Sequence, residues 1–176
     1  LILVPEIGLT PQSVARFSDF LNEPVYVLHS ALSKVEKRKT WVEILLGRAR
    51  VVLGTRSAIL APFDFDLVIL DEEHDSSYKQ QDPAPRYHCR ELAFHLAHKH
   101  GALVVLGSAT PSVETYSYAK EGNLSYFYLS KRATDIQMPK VHLIDMKKEA
   151  SLQQTGILLS SPLREALTKC LDEGHQ

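Results

Sequence analysis

The chain has 176 residues, of which 44% are hydrophobic and 23% are charged, as in an ordinary globular protein of one domain. Its formal net charge of -1 excludes a general attraction to nucleic acid, so that any such binding must come from local patches. No apolar run is long enough to span a membrane and no signal peptide is visible, and we therefore expect a cytoplasmic protein.

Five short runs of apolar, mostly branched residues predict buried strands. Strands that are covered on both faces, as in a parallel sheet, read as continuous apolar runs. Each run is followed by polar or turn residues, which marks where the strand ends. The runs are residues 1–4, 25–28, 51–53, 67–70 and 103–106.

Helical patterns with recognisable ends lie between these runs. Thr10-Pro11 predicts an N-cap and a first-turn proline, and Ser33 with Glu36 predicts a capping box. Residues 90–100 form an apolar helical pattern that stops at Gly101, and Thr110-Pro111 predicts the start of another helix. Strands that alternate with helices predict an α/β fold with a mostly parallel sheet.

The pattern loosens after Gly122. Residues 125–129 and 141–144 predict two further strands, residues 146–160 predict a linker, and Ser161-Pro162 predicts the start of a last helix. The chain begins inside a strand pattern without a Met, and we expect it to be part of a longer protein.

Isolated cysteines and one tryptophan invite only ordinary interpretations. Cys89 and Cys170 are far apart and predict buried thiols in a reducing compartment, and Trp41 predicts core packing. The histidines near Cys89 lack a tight metal-ligand spacing, so we do not expect a zinc site there.

Acidic residues close the fourth strand, in the sequence Asp71-Glu72-Glu73-His74. Ligands of open α/β sheets bind beyond the carboxyl ends of the strands. One carboxylate there can hold Mg²⁺, and a second can deprotonate a water that attacks a γ-phosphate. The alternative is a solvated acidic turn with no chemical role.

Small hydroxyl residues follow the fifth strand, where Ser108 and Thr110 flank Ala109. A turn of this kind can hydrogen-bond to a neighbouring acidic turn and move with it. The alternative is a plain strand-to-helix turn that Thr110 caps.

The two turns together resemble motifs II and III of superfamily 2 helicases, in the same order and about 35 residues apart. Residues 3–12 resemble motif Ia of that superfamily, and residues 54–63 resemble motif Ib. Three longer stretches resemble the PriA family of replication-restart helicases, also called primosomal protein N′: residues 28–41, 71–93 and 106–115.

This resemblance implies a RecA-like first helicase lobe over residues 1–145. Residues 146–176 would be a linker and the first helix leading to a second lobe that the sequence does not contain. A phosphate-binding G-x-x-x-x-G-K-[ST] loop is also absent from the sequence. The lobe is therefore expected to be incomplete, with a gap inside the sheet or an exposed edge where the phosphate-loop strand belongs.

The resemblance also implies the roles of the acidic and hydroxyl turns. Asp71 would coordinate the Mg²⁺ of ATP, and Glu72 would be the general base for hydrolysis. His74 would lie at the interdomain cleft and couple hydrolysis to DNA binding. Ser108 and Thr110 would relay between the nucleotide and DNA sites.

Three segments would contact single-stranded DNA according to the resemblance. One of them, residues 76–88, corresponds to an aromatic-rich loop. Stacking of a base on an aromatic ring stabilises a complex by about 1–3 kcal/mol per base. The alternative is an irregular surface loop. The residues implied are Pro5, Glu6, Gly8 and Thr10, then Gly54, Thr55, Arg56 and Ser57, and finally Tyr78, Lys79, Arg86 and Tyr87.

The function implied is that of an ATP-dependent 3′–5′ DNA helicase that restarts stalled replication forks and loads the primosome. Its partners would be single-stranded and forked DNA, single-strand-binding protein and primosome proteins, and its zinc site would lie in a region absent here. The alternatives are a RecG-like or restriction-type translocase, or a truncated lobe that only binds DNA or a partner. Without the phosphate loop we expect this chain alone to be inactive.

Overall fold

The computed structural model describes residues 1–5, 9–62, 65–131, 140–152 and 159–174, with the backbone alone at 150–152. The chain divides into two compact units, residues 1–127 and 128–176. The first unit carries a sheet flanked by helices, and it contains every described residue of the predicted site. The functional division at residue 145 that the resemblance implies stays a prediction.

Five parallel strands form one sheet in the order β2-β3-β1-β4-β5, which confirms the predicted α/β class. Every pair of neighbours is hydrogen-bonded, so of the two outcomes predicted for the sheet, an internal gap or an exposed edge, the described strands show no gap, and β5 is an edge strand. Because all strands are parallel, their carboxyl ends meet at one edge of the sheet. The strands are β1 (Ile2–Leu3), β2 (Val25–Leu28), β3 (Val51–Gly54), β4 (Leu67–Leu70) and β5 (Leu103–Leu106).

The helices of this unit begin at residues whose side chains cap them. Thr10 accepts a hydrogen bond from Ser13 N, and Ser33 with Glu36 forms the predicted capping box. Ser112, rather than the predicted Thr110, caps the helix after β5. The helices are α1 (Pro11–Leu21), α2 (Lys34–Leu45), α3 (Cys89–His100) and α4 (Val113–Lys120), with 3₁₀ turns at Arg56–Leu60 and Ser76–Tyr78.

The two faces of the sheet are covered unequally. On one face, buried residues of the strands pack with Ile59, Tyr78, Cys89 and Ala93. On the other face, α1 packs Val14 and Phe17 over β1 and β3 but does not reach β5, which leaves apolar side chains in solvent. The exposed strand residues are Leu67, Leu103 and Val105. Trp41, predicted to lie in the core, is 43% exposed on α2.

The described residues of the second unit include two helices. Helix α5 (Met146–Leu152) forms inside the predicted linker, and α6 (Ser161–Asp172) begins after Ser160, whose hydroxyl caps it. Cys170 on α6 is exposed, which corrects the prediction that both thiols are buried; Cys89 in the first unit is buried.

The two additional strands predicted after Gly122 do not form. Residues 125–129 and 141–144 belong to no strand, and Leu129 and Leu143 are 90% and 101% exposed. A strand needs a neighbouring edge for its backbone hydrogen bonds, and an apolar pattern does not supply one. Within the described part of the chain, no helix combines the length and apolar character needed to cross a membrane.

Candidate functional site

An open cleft of about 530 Å³ lies at the carboxyl ends of β1, β4 and β5. The acidic turn after β4 forms one wall, and Ala109 and Thr110, after β5, contribute to the other. Pro5, which follows β1, is buried but borders the same cleft. The structure therefore brings together the two turns that sequence reasoning paired and places them at the ligand-binding edge of the sheet.

The acidic turn is held by its backbone. Asp71 N donates to Leu3 O at 2.9 Å, and Asp75 N donates to Glu72 O at 2.8 Å. Glu72 adopts a left-handed conformation with φ of 48°, which is uncommon for a residue other than glycine. This geometry leaves the carboxylates of Asp71 and Glu72 exposed at the cleft.

The exposed carboxylates suit a magnesium ion that arrives with a nucleotide. Mg²⁺ prefers oxygen ligands and is usually held by one or two carboxylates together with phosphate oxygens and waters. Among the residues that the structure describes, no group of three His, Cys, Asp or Glu side chains could hold a metal. Asp71 and Glu72 would be the carboxylates available to an ion that arrives with a nucleotide.

His74 joins the acidic turn to the hydroxyl turn. Its Nδ1 atom lies 2.7 Å from Ser108 Oγ and 3.6 Å from a Glu72 carboxylate oxygen. Its Nε2 atom lies 3.4 Å from Thr110 Oγ1, and Thr110 N donates to Ser108 Oγ at 3.0 Å. The contact expected between the two turns is present, and the coupling role of these residues stays a prediction.

Glu73 is a residue of the site that sequence reasoning missed. It is 1% exposed, and its carboxylate accepts hydrogen bonds from Ser112 N at 2.6 Å, Thr115 Oγ1 at 3.0 Å and Arg90 Nη1 at 3.1 Å. Arg90 in turn donates to the hydroxyls of Ser112 at 2.6 Å and Thr115 at 3.1 Å. The acidic turn is thus tied to α3 and to the start of α4 by one buried polar network.

The network keeps Glu73 ionised. Burial raises the pKa of the Glu73 carboxyl, but the hydrogen bonds from Ser112, Arg90 and Thr115 and the charge of Arg90 outweigh burial, so the pKa lies below the usual 4.5. For Arg90, burial lowers the pKa, but hydrogen bonds to Glu73 and Glu91 outweigh that effect and raise it. The pair is therefore a buried ion pair in which each charge has partners.

One sequence signal could have pointed to this network. Arg90 is a charged residue in an apolar helical pattern, and charged residues are rarely buried unless paired. Glu73 is the third residue after the end of a buried strand. Their separation of 17 residues, and of 39 between Glu73 and Ser112, fits no local spacing rule, so only the fold shows which groups meet.

Tyr78 does not belong to a DNA-binding surface, which corrects its predicted role. It is 0% exposed, so its ring has no free face for a base. Its hydroxyl lies 2.9 Å from Leu3 O and 2.7 Å from Asp71 O, and burial raises the pKa of the hydroxyl strongly. Tyr78 instead holds together the ends of β1 and β4 beneath the cleft.

The segment after β3 is also used within the fold. Thr55 is 3% exposed, and a Cβ at Gly54 would lie 2.4 Å from both Leu28 O and Ala58 Cβ. The close approach that requires glycine is therefore to protein and not to DNA. Arg56 directs Nη1 at the carbonyl oxygens of Ser77 and Lys79, so it braces residues 76–88 instead of offering a free cation.

The remaining predicted DNA contacts differ in accessibility. Ser57, Lys79 and Arg86 are exposed, whereas Tyr87 is partly buried against the core, and Thr10 is an exposed N-cap. Residues 79–88 form a closed loop, in which Lys79 pairs with His88 and Gln80 N donates to Tyr87 O at 2.8 Å. Glu6 and Gly8 lie outside the described residues.

Comparison with known proteins agrees with this geometry. The DEAD/DEAH box helicase family model matches residues 1–118. The chain is 44% identical over its whole length to a replication restart protein PriA of Bacillus subtilis (strain 168) and 45% identical to that of Haemophilus influenzae. A PriA protein of Chlamydia pneumoniae is 41% identical, again over the whole chain.

The chain spans only 22% to 24% of the length of these relatives. The parallel sheet and the cleft at its carboxyl edge are those of a RecA-like helicase lobe. Together with the family match over residues 1–118, they show that the chain belongs to the DEAD/DEAH box helicase family.

Proposed function

We propose that this chain is part of the first motor lobe of an ATP-dependent 3′–5′ DNA helicase that restarts stalled replication forks. The contact between His74 Nδ1 and Ser108 Oγ at 2.7 Å carries the proposal, since it joins the acidic turn to the hydroxyl turn at the cleft. The names of the relatives supply the setting of replication restart.

The acidic turn and the hydroxyl turn have defined tasks in this function. Asp71 would hold the magnesium ion of ATP, and Glu72 would take a proton from the attacking water. His74 forms contacts that depend on the position of Ser108 and Thr110, and the position of these two residues changes when DNA binds. Bound MgATP would supply the phosphoryl group that is transferred to water.

The DNA surface is smaller than the sequence suggests. Lys79 and Arg86 are exposed on the loop after the acidic turn, and Ser57 is exposed near the end of β3. Lysine, arginine and serine side chains contact the phosphate backbone of DNA. Tyr87, partly buried, offers the remaining aromatic edge of that loop.

We further propose that the 176 residues alone hydrolyse no ATP, because their sequence lacks a G-x-x-x-x-G-K-[ST] loop to cradle the phosphates. The active protein would have the length of the relatives and act in the cytoplasm on single-stranded and forked DNA with single-strand-binding protein and primosome proteins. Any zinc would be bound outside this chain.

Mutation of Glu72 tests the function. In the longer protein that carries this chain, Glu72→Gln should abolish DNA-stimulated ATP hydrolysis while MgADP still binds, because only the base is lost. Glu165→Gln, a change at an exposed glutamate of α6, is the matched control and should hydrolyse ATP as the wild type does. Undiminished hydrolysis by Glu72→Gln would refute the assignment.

A lobe that only binds DNA or a partner is the second candidate, favoured by the missing phosphate loop. The two candidates differ in their response to nucleotide. Titration of a fluorescent single-stranded oligonucleotide with the longer protein that carries this chain, with and without MgATP, separates them. An affinity that nucleotide changes supports the motor, and an affinity that nucleotide leaves unchanged leaves only the binding role.

A further inference from the structure

Glu73 holds both ends of the segment that His74 contacts. Its backbone N donates to Gly107 O at 3.0 Å, directly before Ser108. Its carboxylate accepts from Ser112 N at 2.6 Å, directly after Pro111. Residues 108–111 are therefore attached to one glutamate at both ends, while Ser108 and Thr110 between them face the imidazole of His74.

Arg90 fixes the carboxylate that makes the second attachment. Its Nη1 donates to Glu73 Oε2 at 3.1 Å and to Ser112 Oγ at 2.6 Å, and both charged side chains are at most 9% exposed. Thr115 Oγ1 donates to the same carboxylate oxygen at 3.0 Å. A buried network with all partners present holds its members in one geometry. The attachment of residues 108–111 through Ser112 therefore depends on Arg90 of α3 as well as on Thr115 of α4.

We propose that Glu73 and Arg90 are positioning residues, which hold residues 108–111 at the distance from which Ser108 and Thr110 contact His74 and so make hydrolysis respond to DNA. The inference rests on the proposed function. Neither residue lines the cleft, so neither is expected to touch nucleotide. Weakening the network should then reduce the response to DNA and spare nucleotide binding.

The test uses Glu73→Gln in the longer protein, with MgATP and a single-stranded homothymidine oligonucleotide. We expect the ratio of DNA-saturated to DNA-free hydrolysis to fall at least about fivefold, while the affinity for MgADP stays within about twofold of wild type. Glu91→Gln is the matched control, because among the described residues the Glu91 carboxylate accepts from Arg90 Nε alone, at 3.1 Å, and its side chain is 58% exposed. It should behave as the wild type.

A purely structural role would give a different result. It would lower DNA-free hydrolysis and nucleotide affinity together with the stimulated rate, and that outcome would overturn the proposal, as would a wild-type stimulation ratio. If Glu73→Gln does not fold, Thr115→Val decides by the same criteria, since it removes one donor to the Glu73 carboxylate and nearly keeps the shape of the side chain.

A second readout separates failure of this inference from failure of the proposed function. Hydrogen exchange at the Thr110 and Ser112 amides, which donate to Ser108 Oγ and Glu73 Oε1, needs no catalytic activity. Glu73→Gln or Thr115→Val should accelerate exchange there, and Glu91→Gln should not. If the wild type shows no DNA-stimulated hydrolysis, the proposed function fails, and unchanged exchange at these amides would still refute the positioning role.

Discussion

The hydroxyl oxygen of Tyr78 lies 2.7 Å from the carbonyl oxygen of Asp71 and 2.9 Å from that of Leu3. The single hydroxyl proton is therefore shared between the last residue of β1 and the residue that follows β4. Both strands end at the cleft. The fully buried side chain of Tyr78 therefore fixes the backbone from which the acidic turn begins.

Tyr78→Phe should destabilise the first unit by about 1–2 kcal/mol, because the Asp71 carbonyl loses a buried donor. Tyr78→Ala should cost about 3–5 kcal/mol, because it also removes a buried ring. Urea unfolding followed by circular dichroism measures both. Tyr118→Phe, at a tyrosine 46% exposed, is the control and should stay within about 0.5 kcal/mol of wild type. Equal effects at the two tyrosines would contradict the assignment.

Glu73→Gln should lower stability at neutral pH by about 3–5 kcal/mol, because Arg90 loses its buried counter-charge. The pKa of Glu73 is depressed by folding, so its contribution is present above the usual 4.5 and is lost as pH falls through the folded value. The difference between wild type and variant should therefore shrink below pH 4.5. Urea midpoints measured across that range check it.

For this experiment Glu91→Gln is again the control, because its carboxylate is 58% exposed and its stability difference from wild type should be small and change little over the same range. A wild-type-to-Glu73→Gln difference that stays constant down to the lowest pH would show that the carboxylate is not the source of the effect.

Arg56→Met should loosen residues 77–80, because the carbonyl oxygens of Ser77 and Lys79 lose their common donor. Hydrogen exchange should accelerate there, and Arg48→Met, at an arginine whose side chain is 65% exposed, should leave that segment unchanged. In DNA titrations at several salt concentrations, Arg56→Met should keep the wild-type salt dependence. A slope reduced by about 1 would mean that Arg56 contacts a phosphate directly.

Gly54→Ala should cost about 1–3 kcal/mol, because the added Cβ would lie 2.4 Å from Leu28 O and from Ala58 Cβ. Gly107→Ala is the matched control, since its nearest neighbour, Asp71 Oδ1, would be 3.5 Å away, an ordinary contact. Thermal unfolding compares the two. If Gly54→Ala melts as the wild type does, the close approach after β3 is not a constraint on the fold.

The features that sequence reasoning recovered are local. Ser33 and Glu36 are three residues apart, so their reciprocal hydrogen bonds can be read from spacing. The apolar runs of the five strands needed only the knowledge that parallel strands are covered on both faces. The helix after β5 shows the limit, because Thr110 and Ser112 are both good caps and only the contact of Ser112 with Glu73 decides between them.

The features that sequence reasoning missed depend on contacts between residues far apart in the sequence. Tyr78 and Arg56 have the chemistry of DNA-binding residues, and spacing alone could not show that the Tyr78 hydroxyl and Arg56 Nη1 are directed at backbone carbonyls of the same unit. Residues 141–144 have a strand-like composition and no partner edge. Side-chain chemistry predicted the kind of site, and burial determines which members of the predicted set remain available to a ligand.

The left-handed backbone conformation of Glu72 lowers the stability of the fold at a position whose carboxylate the proposed hydrolysis requires. A residue with a Cβ costs about 1–2 kcal/mol in this conformation, and glycine avoids the cost. Directed evolution toward thermal resistance alone would therefore favour glycine at position 72 and discard the carboxylate on which the proposed hydrolysis depends. In any library made from this sequence, heat tolerance gained by substitution at position 72 would indicate that this carboxylate has been lost.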